Sequence, residues 1–202
     1  IDADHRVLRP LNYTGGTPGR GASVIKARDG RSVLVVNVMC RLFMELLDDP
    51  FAAVDGVLKS HPIGNAVDAV LIDVHGEATS EKMALGHVCD GRASLVVGTH
   101  THIPTADAQV LPGGTAYQSD AGMCGDYDSV IGMKKETAIA KFRTKIVTER
   151  LAPARGPASL CGTYVETDDA TGLAARVSPV VLGGRLHPAW PAFLPPRATA
   201  AE

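Results

Sequence analysis

The chain has 202 residues, 45% of them hydrophobic and 21% charged, with a net charge of −2. That balance fits one compact domain with a full core and excludes partners recognised through bulk positive charge, such as nucleic acid or an anionic membrane. No apolar stretch is long enough to span a bilayer, and the opening IDADHRVLRP lacks the basic and apolar regions of a signal peptide, so a cytoplasmic protein without a membrane partner is expected.

In chain order, NYTGGTPGRGAS is glycine-rich, but it lacks the lysine of a phosphate-binding P-loop and leads into a strand. It reads as a turn-forming loop in preference to a substrate-contact role, and not as a nucleotide P-loop. Ala22 to Met39 holds two β-rich runs split by Asp29-Gly30, which predicts an antiparallel hairpin with a type I′ turn. DDPFAAVDGVLKSH then predicts an amphipathic helix: Asp49 as N-cap, Pro50 at the first position, and Phe51, Val54 and Leu58 on one face.

Ala66 to Val74 reads as a buried strand, SEKMALGHVCDG as a short helix capped by Ser80 and ended near Gly91, and ASLVVG as a second buried strand. Strand, helix, strand at this spacing is a βαβ unit with parallel strands. Further on, GTAYQSD predicts a strand, KKETAIAKFRTK a helix, and Ser159 to Val181 a hairpin turning at DDATG. The domain is expected to fill 1–181, and the Pro/Gly/Ala-rich tail 182–202 to be loosely ordered.

Parallel strands bring their carboxyl ends to one sheet edge, where open α/β folds place ligands. His75 ends the first strand of the unit, and His100 and His102 end the second. Residues two apart in extended chain project to the same side, so three imidazoles are expected to converge. Neutral imidazole is a common ligand for Zn, Mn and Fe, which makes a metal site the natural reading. A mononuclear hydrolytic zinc site with an open position fits the same spacing.

Among nearby carboxylates, Asp73, Glu77, Asp107 and Asp120 are candidates to orient a metal-bound histidine. His5, His61, His87 and His187 show no convergence and read as packed or solvated. Cys40, Cys89, Cys124 and Cys161 form no C-x-x-C pair and read as reduced, mostly packed thiols. Asp120 to Met133 is rich in small residues after a strand, which suits a substrate loop and a packing loop equally.

The segments LRPLNYTGGTPGRG, LDDPF, DVHGEATSEK, VVGTHTHIPTAD and LPGGTAYQSDAGMCGDYDSVIGM, in that order, resemble the YmdB-like bacterial branch of the calcineurin-like metallophosphoesterases. The resemblance runs from about Val7 to Val181, nearly the whole chain. It implies an α/β fold, a layered β-sandwich flanked by helices and incomplete at its amino end. It also implies two transition-metal ions, divalent or trivalent, of Fe, Mn or Zn. The expected substrate is a small phosphodiester, 2′,3′-cyclic nucleotides among them.

By that resemblance His75 and His100 would bind one metal and His102 the other; Glu77 and Asp120 stay candidates from their position near the edge, with a solvated or capping role as fitting for each. Two ions would clamp a phosphate and deprotonate a bridging water, and the resulting hydroxide would attack phosphorus. The family's D-x-G-like Asp, its G-E-N glutamate and its G-N-H asparagine and histidine have no counterpart here. The catalytic acid is therefore unassigned. The expectation is that the sequence is the carboxyl-terminal part of a longer phosphodiesterase, inactive as 202 residues alone. The alternative is a regulatory or scaffolding protein that kept the fold and lost the site.

Overall fold

A computed structural model describes residues 1–146 and 149–196. Strands β1 (Ala22–Lys26) and β2 (Ser32–Met39) form the predicted antiparallel hairpin. Its turn differs from the expected type I′, which needs positive φ at both central residues. Only Gly30 has one, at 92°. The Gly30 amide donates to the Ala27 carbonyl at 3.0 Å, and the Ala27 amide to the Arg31 carbonyl at 2.7 Å. This is the longer loop, a type I-like turn closed by a left-handed glycine.

Helix α1 (Pro50–Ser60) starts as predicted, with the Asp49 carboxylate accepting the Phe51 amide at 2.9 Å. Val54 and Leu58 are buried against β2, each such side chain contributing about 1.5–3 kcal/mol of transfer free energy. Parallel strands β3 (Ala69–His75) and β4 (Leu95–Thr99) flank helix α2 (Thr79–Cys89) as the βαβ reading requires. Ser80 is not its cap. The N-cap is Ala78, with no side-chain hydrogen bond, and Ser80 lies one residue inside the helix.

Alternation along the strands sorts the two faces. Val70, Ile72 and Val74 of β3 and Leu34, Val36 and Val38 of β2 are buried on the helix-covered face. On the other face Asn37, Asp73, His75 and Thr99 are half-buried. Strand β6 (Ala116–Gln118) continues the sheet in parallel and β5 (Gln109–Val110) closes it antiparallel, giving the order β1-β2-β3-β4-β6-β5. The six-stranded sheet is thus mixed.

A second sheet, ordered β7-β8-β9, is built on the long hairpin of β8 (Ala158–Thr167) and β9 (Ala174–Leu182), with β7 (Gly125–Asp126) at its edge. It meets the first sheet at β5 and β6. Thr163 donates to the Gln118 amide oxygen at 2.7 Å, and Ser94 to the Gly172 carbonyl in the hairpin turn at 2.6 Å. Helix α3 (Lys135–Thr144) buries only Ala138. This is the layered α/β architecture expected, two sheets with helices outside.

The described part of the tail folds back on the hairpin. Ala189 and Val181 exchange backbone hydrogen bonds, and the Phe193 ring lies 5.7 Å from that of Tyr164. Residues 197–202 of the expected tail lie outside the described residues. Among the described residues, no helix is long and apolar enough to cross a membrane.

Candidate metal and phosphate site

Met39, His75 and Thr99 stand side by side in the parallel register, the last residues of β2, β3 and β4. Strand order therefore sets His75 at the carboxyl edge, as expected. His100 and His102 differ from the expectation. Strand β4 stops at Thr99, and both histidines belong to the following loop, with φ of 123° and 66°.

Left-handed backbone at a non-glycine residue costs about 1–3 kcal/mol and persists only where the surroundings hold it. Here Asp120 holds it: one carboxylate oxygen accepts the Thr101 amide, between the two histidines, at 2.8 Å, and the other accepts the Gly122 amide at 2.9 Å. Extended-chain geometry, the basis for projecting both imidazoles together, does not apply.

All three histidines nonetheless line one cavity of about 180 Å3, together with Thr99, Asp120, Gly122 and Met123. His75 and His100 touch, rings edge to face with centroids 4.9 Å apart and His75 Nε2 3.1 Å from His100 Nδ1. His102 points its Nδ1 to the Ile131 carbonyl, 3.0 Å away. The Asp120–Met133 segment packs on it, through the Met123 amide and the Tyr127 hydroxyl, both donating to the His102 carbonyl.

A chain of polar contacts crosses the half-buried face of the sheet into this cavity. The Asn37 amide donates to Asp73 at 2.8 Å, and the Thr99 hydroxyl donates to the other Asp73 oxygen at 3.0 Å. His75 Nδ1 lies 3.0 Å from that hydroxyl. At the far end His100 Nε2 reaches Glu77 at 2.7 Å. Burial first, and then the neighbouring His100, hold the His75 imidazole below the ordinary histidine pKa.

Of the carboxylates singled out in the sequence, Glu77 touches a histidine directly, Asp73 does so through Thr99, and Asp120 grips the loop backbone instead. Asp107 serves the far side of β6, accepting the Ser119 hydroxyl and amide. Asn37 and Thr99 were missed. Their signal was available in period-two alternation, which puts Asp73 and His75 on one face, but a cross-strand partner needs the register.

His87 is exposed on α2, away from the cavity. Cys40, Cys89 and Cys161 are buried while Cys124 is exposed, and burial pushes the Cys40 and Cys89 thiols up to about 12.

Among the described residues, no three His, Cys, Asp or Glu side chains surround one point as a metal ion requires. The donor chemistry fits a cation better than the side-chain placement does. Thr99 spends its proton on Asp73, so its oxygen accepts from His75 Nδ1–H, and the His75 Nε2 lone pair faces His100. His100 then sits between a nitrogen lone pair and a carboxylate, both of which would welcome positive charge.

A family model described as YmdB-like protein matches residues 1–180. A Bacillus subtilis (strain 168) protein named 2′,3′-cyclic-nucleotide 2′-phosphodiesterase is 43% identical over 182 residues, 90% of this chain and 67% of its own length. The crystal structure of a hypothetical protein from Thermus thermophilus superposes with a TM-score of 0.80 at 47% identity, covering 89% of this chain and 68% of that one. A novel phosphatase from Mycoplasma pneumoniae superposes with a TM-score of 0.78 at 28% identity, covering 90% and 65%. The chain thus spans about two thirds of the length of these relatives.

Proposed function

The chain belongs to the YmdB-like family, and from that premise we propose that the histidine cavity is the ligand-bearing part of a metal-dependent phosphodiesterase site acting on small diesters of the 2′,3′-cyclic-nucleotide class. The observation that carries the reading is the gathering of His75, His100 and His102 on one cavity at the carboxyl edge of parallel strands. The phosphodiesterase and phosphatase names of the B. subtilis and M. pneumoniae relatives support it.

In this reading His75, His100 and His102 hold one or more divalent ions of the Fe, Mn or Zn kind. Such ions supply Lewis-acid polarisation of a phosphoryl oxygen and lower the pKa of a water. The chain's own residues do the positioning. Asp73 and Thr99 keep the His75 proton on Nδ1 and leave Nε2 to donate its lone pair. Glu77 orients the His100 ring from its outer nitrogen. The cavity of about 180 Å3 has room for a phosphate group beside the three histidines.

The test is hydrolysis of bis-p-nitrophenyl phosphate and of 2′,3′-cyclic AMP by the protein as its gene encodes it, with Mn2+ added and metal counted on the same sample. Turnover that follows metal content supports the reading. A protein that takes up no metal and cleaves neither ester overturns it and favours a regulatory or scaffolding role.

A further inference from the structure

Lys82, in the first turn of α2, is buried beneath the histidine loop. Its side chain and that of Asp120 are each 1% exposed, with Nζ 3.7 Å from Oδ2. Among the described residues it is the buried side-chain nitrogen or oxygen that finds no hydrogen-bond partner. An interior ammonium whose carboxylate partner lies beyond hydrogen-bond distance, so that its donors go unmet, is costly, and a methionine would fill the same space without that cost. Packing therefore does not explain a lysine here.

Its stem runs beside two glycines, whose lack of a Cβ is demanded first by the Ser119 carbonyl at Gly98 and by Cys40 at Gly76. A Cβ at Gly98 would lie 3.0 Å from Lys82 Cδ, and one at Gly76 would lie 3.7 Å from Cγ. The stem thus passes the ends of β3 and β4 toward Asp120. That carboxylate uses both oxygens on backbone, holding the amides of Thr101 and Gly122. An asparagine carries a single acceptor oxygen and could not hold both amides with separate atoms. A buried carboxylate, in turn, needs a compensating charge, and Lys82 supplies it.

We propose that Lys82 is a positioning residue acting through Asp120: its buried charge keeps the carboxylate that clamps the Thr101 amide, and so holds His100 and His102 in the left-handed conformations that face the cavity. The role rests on the functional reading above only for its consequence in metal binding. The clamp itself is a property of the fold.

The experiment compares hydrogen exchange at the Thr101 amide, and Mn2+ binding by calorimetry, in the unaltered protein and in Lys82→Met. Exchange at Thr101 is expected to be at least about tenfold faster in the variant, with the Ile72 and Val96 amides unchanged and Mn2+ affinity about tenfold weaker. Unchanged Thr101 exchange overturns the proposal, and so does faster exchange with Mn2+ affinity intact.

Should Lys82→Met also open the amides of Ile72 and Val96, the double variant Lys82→Met/Asp120→Asn, which buries no lone charge, decides. A closed core with Thr101 still fast supports the clamp. Slow Thr101 exchange overturns it, as does a core that stays open. An unaltered protein that binds no Mn2+ and cleaves no diester overturns the phosphodiesterase reading, and the exchange data then decide the clamp alone.

Discussion

Thr99 faces His75 across the parallel pairing of β3 and β4, with its hydroxyl 3.0 Å from His75 Nδ1 and 3.0 Å from an Asp73 oxygen. A carboxylate only accepts, so the hydroxyl proton goes to Asp73 and the ring proton sits on Nδ1. Thr99→Val keeps the shape and removes this relay. The expected result is a 10–100-fold loss of metal affinity or activity, with a shift of the His75 ring toward its other tautomer in nitrogen NMR. A ring still protonated on Nδ1, with unchanged affinity, would show that Thr99 only fills space.

Removing the imidazoles tests the site itself. His75→Ala and His102→Ala should each abolish metal-dependent diester hydrolysis while the far-ultraviolet circular dichroism stays as it was. The exposed His87 on α2 lies away from the cavity, and His87→Ala should hydrolyse at close to the unaltered rate. Activity surviving in both cavity variants would remove them from the chemistry.

The depressed pKa of His75 makes a pH prediction for the metal-free protein. The folded state disfavours the charged ring, through burial and then His100. His75 therefore contributes nothing unfavourable above its ordinary value of 6.5. Stability falls as pH drops below that value toward the lower folded pKa, because the unfolded chain takes up the proton first. Urea midpoints measured with chelator between pH 7 and pH 5, roughly the window of histidine titration, should decline more steeply in the unaltered protein than in His75→Asn. Equal slopes would mean that the ring titrates alike in both states.

Gly86 makes a prediction that runs against helix propensity. It sits inside α2, where alanine is normally better by about 1 kcal/mol. A Cβ there would lie 2.6 Å from Cδ2 of the buried Tyr117 ring. Gly86→Ala should thus lower the unfolding free energy by about 1–3 kcal/mol. Equilibrium urea denaturation gives the answer, and a stabilised variant would mean that the ring has room to shift.

What could be read beforehand was what depends on neighbours in sequence. Asp49-Pro50 announces α1 because the cap and the fixed proline φ act within one turn, and the apolar runs of β2, β3 and β4 announce themselves by composition. Asp29-Gly30 marked a hairpin correctly but not its turn type, since Asp29 keeps negative φ and Gly30 alone goes left-handed. The two-residue strands β5 and β7 carry no pattern to read.

At the site, the position of His75 followed from strand order alone. The conformations of His100 and His102 did not, because they depend on Asp120, and the Thr101 contact spans 19 residues. Burial of Lys82 was equally hidden, as a lysine next to a glutamate near the start of a helix reads as solvated.

The bond from Ser94 to the turn of the β8–β9 hairpin spans 78 residues, whereas the Val70–Ser94 contact that joins β3 to β4 spans 24. Closing the longer loop costs more chain entropy and is repaid only once the shorter pairings exist. The hairpin should therefore dock late, after the central strands have formed. Substitutions in its turn will then mainly hasten unfolding and leave the folding rate alone. Until docking, the part of the nascent sheet that β9 packs against at β5 and β6 is uncovered and open to other chains, so the moment of greatest danger for this protein comes on the ribosome, with its histidine edge already synthesised and its last hairpin not yet made.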